Sequence, residues 1–227
     1  MPAPTNSRDL IIFDVDGTLV DAIALDNDCF DRAFSETAGR ALTEEMWSQF
    51  KEVTAPAIIQ QALGNAWPDM LATKMRIKNS FLDKLQQGYE QDRASIQAFP
   101  GAVALLSGLQ KNPDVGVAIA TGCWRETAQF KLTSAGFDLS NIPFACASDC
   151  NKRAEIILLA AERTGQSIER AVYVGDGVWD LRAARQLGVP FIGVGRRIET
   201  LRKAGAEYIL DAFEEDALVS VLASIRR

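Results

Sequence analysis

The sequence predicts an α/β protein with a Rossmann-like parallel sheet, helices on both faces of that sheet, and an inserted all-helical unit. The first supporting observation is a series of short apolar runs, each bounded by Gly, Pro or Asp, and most followed by a segment of helical periodicity. The second is a long stretch, residues 20–97, that contains no apolar run of the strand type. Continuous apolar strands that alternate with helices indicate a parallel sheet buried on both faces.

The elements of the core can be predicted in chain order. The apolar runs place strands at residues 10–13, 115–120, 143–147, 171–174 and 190–194, and an edge strand at residues 206–210. Helical periodicity follows at residues 125–135, 152–164, 180–187 and 214–226. A glycine stands directly after each of the first three helices, and glycine is the residue that most easily ends a helix in the left-handed conformation. We therefore expect residues 1–19 and 98–227 to form one α/β core.

The stretch between these two parts has a different pattern. Its apolar residues recur at helical spacing, and Thr54 before Ala55-Pro56 has the composition of a helix N-cap followed by a proline in the first turn. We expect residues 20–97 to form a helical cap inserted after the first strand. Its acidic residues Asp21, Asp26 and Asp28 are expected on a solvated helix face, and Trp124, beyond the cap, is expected in a core.

The composition excludes several classes of function. The chain has 227 residues, a net charge of −6 and no histidine. Without histidine there is no Ser-His-Asp or Cys-His hydrolase, no HExxH zinc site and no two-His-one-carboxylate iron site. The negative charge argues against nucleic acid or an anionic membrane as a partner. The cysteines form no CxxC pair, and the run at residues 10–13 is too short for a signal sequence or membrane span, so we expect a cytoplasmic protein.

Acidic residues follow two of the predicted strands. Asp14 and Asp16 come directly after the first, and Asp176 and Asp180 follow the strand at residues 171–174. Ligands of parallel α/β sheets bind at the carboxyl ends of the strands, and close carboxylates repel one another unless a cation lies between them. Oxygen ligands of this type suit Mg²⁺. The sequence therefore predicts a Mg²⁺ site made of these four acids.

Groups that could bind an anion follow two other elements. Thr121 and Gly122 end the strand at residues 115–120, where a hydroxyl and free backbone N–H groups can hold phosphate oxygens. Lys152 opens a helix, where a cation opposes the helix dipole and so suggests a nearby anion. We expect Thr121, Gly122 and Lys152 to bind phosphate, with Arg153 as a competitor for the place of Lys152.

These segments resemble those of the haloacid dehalogenase-like hydrolases, and more closely the phosphoglycolate phosphatase and beta-phosphoglucomutase-like branch. The resemblance is carried by Asp-Val-Asp-Gly-Thr at residues 14–18, the helical insertion, Thr121-Gly122, and Gly-Asp-Gly-Val-Trp-Asp at residues 175–180. It implies that Asp14 is the nucleophile and that Asp16 is the general acid/base, which binds the metal through its backbone carbonyl. It further implies that Asp176 is a direct metal ligand and that Asp180 acts indirectly or through water. The prolines that usually follow the family's cation are absent here.

The resemblance predicts a magnesium-dependent phosphatase that hydrolyses a small phosphorylated metabolite through an aspartyl-phosphate on Asp14. A carboxylate is already ionised at neutral pH, so this nucleophile needs no histidine. Three alternatives remain: a phosphomutase of the same family, a phospho-accepting receiver-like signalling module, and a catalytically silent interaction protein on the same fold. Mutases of this family often carry a histidine early in the cap, and this chain has none.

Overall fold

The computed structural model describes residues 9–226 and contains a parallel sheet of six strands in the order β5-β4-β1-β6-β7-β8. These strands are β1 (Asp9–Phe13), β4 (Val115–Thr121), β5 (Phe144–Cys146), β6 (Ala171–Gly175), β7 (Phe191–Gly193) and β8 (Tyr208–Ile209). Every neighbouring pair is parallel. Each strand falls on one of the predicted runs, and the predicted α/β fold is confirmed.

The central strand shows why the sheet is buried on both faces. Leu10, Ile11, Ile12 and Phe13 of β1 are all fully buried. Successive side chains of a strand point to opposite faces, so Ile11 and Phe13 belong to one apolar cluster and Leu10 and Ile12 to another. The helices that cover the first face are α5 (Ala102–Lys111), α6 (Arg125–Ser134) and α10 (Glu215–Ile225). Those that cover the second are α7 (Arg153–Thr164), α8 (Val178–Leu187) and α9 (Ile198–Lys203).

The insertion is helical, as its periodicity predicts. It contains α1 (Ile23–Ala38), α2 (Glu44–Gln49), α3 (Ala55–Leu63) and α4 (Met70–Gln91). These helices share an apolar cluster of their own, to which Phe30, Ile59 and Phe81 belong. Trp124 from the core is part of the same cluster, in agreement with its expected burial.

Two short strands at the ends of the insertion were not predicted. β2 (Val20–Asp21) pairs antiparallel with β3 (Gln97–Ala98), so the absence of strand in residues 20–97 is wrong at both ends. Strands of two residues are too short to leave a periodic pattern. The predicted boundaries of the cap fall on this ladder, and the division into a catalytic core and a cap stays a prediction.

No helix within residues 9–226 combines the length and the apolar character that crossing a lipid bilayer requires.

Candidate active site

The candidate site forms where three neighbouring strands end. The adjacent strands β4, β1 and β6 end at Thr121, Phe13 and Gly175. Because the strands are parallel, Thr121, Asp14 and Asp176 reach the same edge of the sheet. The backbone N–H of Asp14 donates to the carbonyl of Val174 at 2.9 Å, which fixes the position of Asp14 against β6.

Three of the predicted acids come together at this edge. Carboxylate oxygens of Asp14, Asp176 and Asp180 lie within 4.8 Å of one another, and the three residues are almost completely buried. The turn after β1 closes over them, because Gly17 has a φ of 77° and a side chain there would approach Asp176 Oδ2 to 2.2 Å. A glycine is therefore required at position 17, where backbone and carboxylate are in close contact.

The carboxylate of Asp16 does not join the other three. It belongs to a second group with Asp26 and Cys123, where Nζ of Lys131 lies 2.5 Å from one oxygen of Asp16 and 2.5 Å from one oxygen of Asp26. The expectation that the Asp14 and Asp16 side chains face one cation is therefore corrected. Strand β1 ends at Phe13, so the side-chain alternation of an extended strand no longer determines where Asp14 and Asp16 point.

Lys131 is a functional candidate that the sequence reasoning missed. Its side chain is completely buried, and burial alone would lower its pKa. The carboxylates of Asp16 and Asp26 outweigh that effect and raise the pKa of Lys131 well above its usual value. Asp26 was expected on a solvated face and instead pairs with this lysine. One signal was available, because Lys131 lies on the buried stripe of α6 beside Ala128 and Leu132.

The cation beside Asp14 is Arg153, and the placement of Lys152 in the site is corrected. Arg153 Nη1 lies 2.9 Å from Asp14 Oδ1 and 3.0 Å from Asp180 Oδ1, and its side chain is almost entirely buried. The Lys152 side chain is mostly exposed and pairs with Glu155 at 3.1 Å. The reason is that α7 begins at Arg153, so that Lys152 lies before the first helical residue and its side chain extends into solvent.

Arg153 is held from several sides. Its Nη2 donates to the carbonyl of Val53 in the insertion at 2.9 Å. A side chain at position 122 would approach Nη2 to 2.3 Å, which explains the glycine there. Thr121, the other predicted phosphate-binding residue, is buried at the end of β4 and lines the same cavity.

Asp180 serves to orient its neighbours. One of its oxygens contacts Arg153 and lies 3.1 Å from the Tyr173 hydroxyl. The other accepts the backbone N–H of Gly177 at 3.0 Å. With both oxygens engaged by the chain itself, Asp180 holds Arg153 in place.

The site carries more negative charge than its own cations balance. Burial and the neighbouring Asp180 raise the pKa of Asp14 well above its usual value, although Arg153 opposes the shift. Burial and Asp180 likewise raise the pKa of Asp176 to about 7. A divalent cation between these oxygens would remove the repulsion, and carboxylates are the donors that such hard ions prefer. The donor set thus fits a divalent metal.

A cavity of about 590 Å³ opens in front of these groups. Its floor includes Asp14, Asp16 and Thr121, and its opposite wall comes from the insertion. The volume lies within the range of pockets that bind small molecules.

Comparison with known proteins shows which family this chain belongs to. The model of the haloacid dehalogenase-like hydrolase family matches residues 11–194. The chain belongs to this family. It is 25% identical to a phosphoglycolate phosphatase of Synechococcus elongatus over 185 residues, which cover 81% of this chain and 82% of that protein.

Two solved structures have the same fold. A hydrolase from Pseudomonas syringae has a TM-score of 0.75 at 24% identity and covers 96% of this chain and 99% of its own. The beta-phosphoglucomutase of Clostridium difficile has a TM-score of 0.75 at 16% identity and covers 97% of this chain and 100% of its own. The predicted family, and with it the prediction of a phosphoric monoester hydrolase, is confirmed.

Proposed function

We propose that this haloacid dehalogenase-like phosphatase hydrolyses a small phosphorylated metabolite in the presence of Mg²⁺ and through an aspartyl-phosphate on Asp14. The observation that carries the proposal is the environment of Asp14. Its carboxylate is buried at the end of β1, lies 2.9 Å from Arg153, lies within 4.8 Å of two other carboxylates, and borders a cavity that could admit a phosphate ester.

Asp14, Asp176 and the backbone carbonyl of Asp16 would hold the metal ion, with Asp180 supporting them. The ion would supply positive charge against the phosphoryl oxygens. Arg153 would add to that charge from the other side of Asp14, and the Thr121 hydroxyl with the neighbouring N–H groups would bind the remaining phosphoryl oxygens.

Asp14 would act as the nucleophile. Its carboxylate oxygen attacks phosphorus and forms a new P–O bond while the bond to the leaving alkoxide breaks. Asp16 would donate a proton to that alkoxide and later accept one from the water that hydrolyses the aspartyl-phosphate. Lys131 and Asp26 would keep the Asp16 side chain directed at the cavity.

The test compares the wild type with Asp14→Asn and Asp16→Ala, using p-nitrophenyl phosphate with Mg²⁺ or with EDTA. We expect Asp14→Asn to abolish turnover while its circular dichroism spectrum and melting temperature stay those of a folded protein. Asp16→Ala should turn over slowly and accumulate a phosphorylated chain that intact-mass spectrometry detects. Residual activity of more than a few per cent in Asp14→Asn, or full activity in EDTA, would contradict the proposal.

A further inference from the structure

We propose that the cavity accepts phosphate monoesters whose leaving group is an uncharged ring or hydrocarbon, and that it disfavours leaving groups with a second phosphate or a carboxylate. The inference rests on the proposed function, because it concerns the part of the ester that leaves from phosphorus. It follows from the polarity and the charge of the residues that the insertion contributes to the cavity lining.

The wall that the insertion contributes is largely apolar. A phosphoryl group would fill only the end of the cavity at Asp14 and Thr121, and the leaving group would occupy the rest. Most of the residues that the insertion contributes to the cavity lining are hydrocarbon or aromatic, among them Ile23, Phe30, Trp47, Ile58 and Phe81, and its one uncharged polar residue among the described lining is Asn27.

Two of the aromatic residues of this wall are in contact with each other. Phe30 and Phe81 meet edge to face with ring centres 5.5 Å apart, and the ring centre of each lies 6.3 Å from that of the buried Trp124 in a tilted arrangement. Trp47 lies at the cavity with 38% of its surface exposed. A ring on the substrate would cover this exposed surface and gain the burial that an apolar contact provides.

The charges of the cavity argue against a second anion. Among the described residues that line it, the insertion contributes charge only through Asp26 and Asp31, and both are acidic. The two cations of the lining, Arg153 and Arg197, both come from the α/β core.

Both arginines are already engaged. Arg153 pairs with Asp14 and Asp180. Arg197 lies 3.5 Å from Asp176, with its guanidinium 5.1 Å from the ring centre of Trp179. A leaving-group anion at the apolar wall would therefore lose its hydration without an unpaired cation among the described lining residues to replace it, which is unfavourable.

Three esters that differ in one group test the proposal. Benzyl phosphate, ethyl phosphate and phosphoglycolate all place a CH₂ on the ester oxygen, followed by a phenyl, a methyl or a carboxylate group. We expect kcat/KM for benzyl phosphate to exceed that for ethyl phosphate by about tenfold or more, and phosphoglycolate to be the poorest of the three. A preference for phosphoglycolate would overturn the inference.

Variants at Trp47 test whether the preference for an uncharged leaving group depends on the apolar wall of the cavity. Trp47→Ala should lower kcat/KM for benzyl phosphate about tenfold and should leave kcat/KM for ethyl phosphate within about twofold of the wild-type value. Trp47→Arg should lower kcat/KM for benzyl phosphate by a similar factor. For phosphoglycolate, kcat/KM should be higher in Trp47→Arg than in Trp47→Ala. Leu71→Ala is the matched control, because Leu71 is an exposed apolar residue of α4 that does not line the cavity.

The outcomes separate this inference from the proposed function. If neither p-nitrophenyl phosphate nor any of the three esters is hydrolysed with Mg²⁺, the proposed function fails. If the esters are hydrolysed but phosphoglycolate is preferred, only the inference fails. A phosphoglycolate preference that disappears in Arg197→Gln would assign the second anion to Arg197 and overturn our inference in the same way.

Discussion

At the scale of single residues, Arg153 connects the acids of the site to the insertion. Its guanidinium contacts two buried carboxylates and a backbone carbonyl of the insertion. Nη1 contacts the two carboxylates and Nη2 contacts the carbonyl, and the single terminal nitrogen of a lysine cannot reproduce this planar fork. A residue in this position would stabilise the fold and bind the phosphoryl group at the same time.

We predict that Arg153→Lys lowers kcat/KM for p-nitrophenyl phosphate about a hundredfold or more, because a single nitrogen cannot take the places of both Nη1, which contacts Asp14 and Asp180, and Nη2, which contacts Val53. Lys152→Ala, one residue away, should stay within about twofold of the wild type, since the Lys152 side chain is mostly exposed. Steady-state kinetics with Mg²⁺ measures both. Equal losses in the two variants would restore Lys152 as the phosphate-binding cation.

Lys131 allows a second test at this scale. Removal of one partner from a buried ion pair typically costs about 3–5 kcal/mol. We expect Lys131→Met to lose that amount of unfolding free energy in urea titrations, because Asp16 and Asp26 would both be left without their cation. Asp26→Asn should lose less, since Lys131 keeps Asp16 as its partner. A Lys131→Met variant as stable as the wild type would show that this buried group contributes nothing to the fold.

At the scale of elements, the segment before α3 attaches the insertion to the active-site loops. The Thr54 hydroxyl donates to the carbonyl of Asn151 at 2.7 Å. The next residue, Ala55, donates its N–H to the carbonyl of Gly122 at 2.8 Å. The start of α3 is thus bonded to the loop that contains Gly122 and to the loop that leads into Arg153, the first residue of α7.

We predict that Thr54→Val loses about 0.5–1.5 kcal/mol of unfolding free energy, because it removes the hydrogen bond from the buried Thr54 hydroxyl to the Asn151 carbonyl. Thr54→Ser keeps the hydroxyl and should recover most of the loss. Thermal and urea unfolding of the two variants measure the difference. If the serine variant is as unstable as the valine variant, the methyl group and not the hydroxyl is responsible.

The same elements indicate what the sequence could predict. The strands were found because a strand buried on both faces is a continuous apolar run, as in β1, and the acids were found because they follow such runs. Thr54 was correctly placed at the start of α3, but its hydroxyl bonds to Asn151 and makes no cap bond within the helix. The sequence gives local periodicity, and it does not give the partner that a side chain finds across the fold.

The wrong choice of Lys152 over Arg153 also arose because a local pattern does not show where a side chain lies in the fold. Successive residues of a helix are about 100° apart around its axis, so a shift of one residue in the helix start decides which side chain enters the site. No local pattern fixes that start, because the family's prolines are absent from this chain. Lys131 was overlooked because a lysine is almost never fully buried unless it is paired, and its partners lie on other elements.

At the scale of the whole molecule, metal binding, proton binding and folding are linked through the same acids. Asp14, Asp176 and Asp180 all have a pKa raised by burial. A carboxyl with a higher pKa in the folded state holds its proton there at a pH where the unfolded chain has released it. The unfolding free energy must then fall as the pH rises through this interval.

For Asp176 the interval extends from the ordinary aspartate pKa of 3.8 to the raised pKa of about 7. We therefore predict that Asp176 makes the metal-free protein lose stability between pH 5 and pH 7, by about 1 kcal/mol per pH unit, and that Asp176→Asn has a shallower slope. Mg²⁺ competes with the proton for the same oxygens, so it should raise the melting temperature more at pH 7.5 than at pH 5.5. Urea titrations with EDTA and thermal scans with Mg²⁺ measure the two effects. If Asp176→Asn keeps the wild-type pH dependence of the unfolding free energy and is stabilised by Mg²⁺ as strongly as the wild type, then Asp176 neither takes up this proton nor binds the metal.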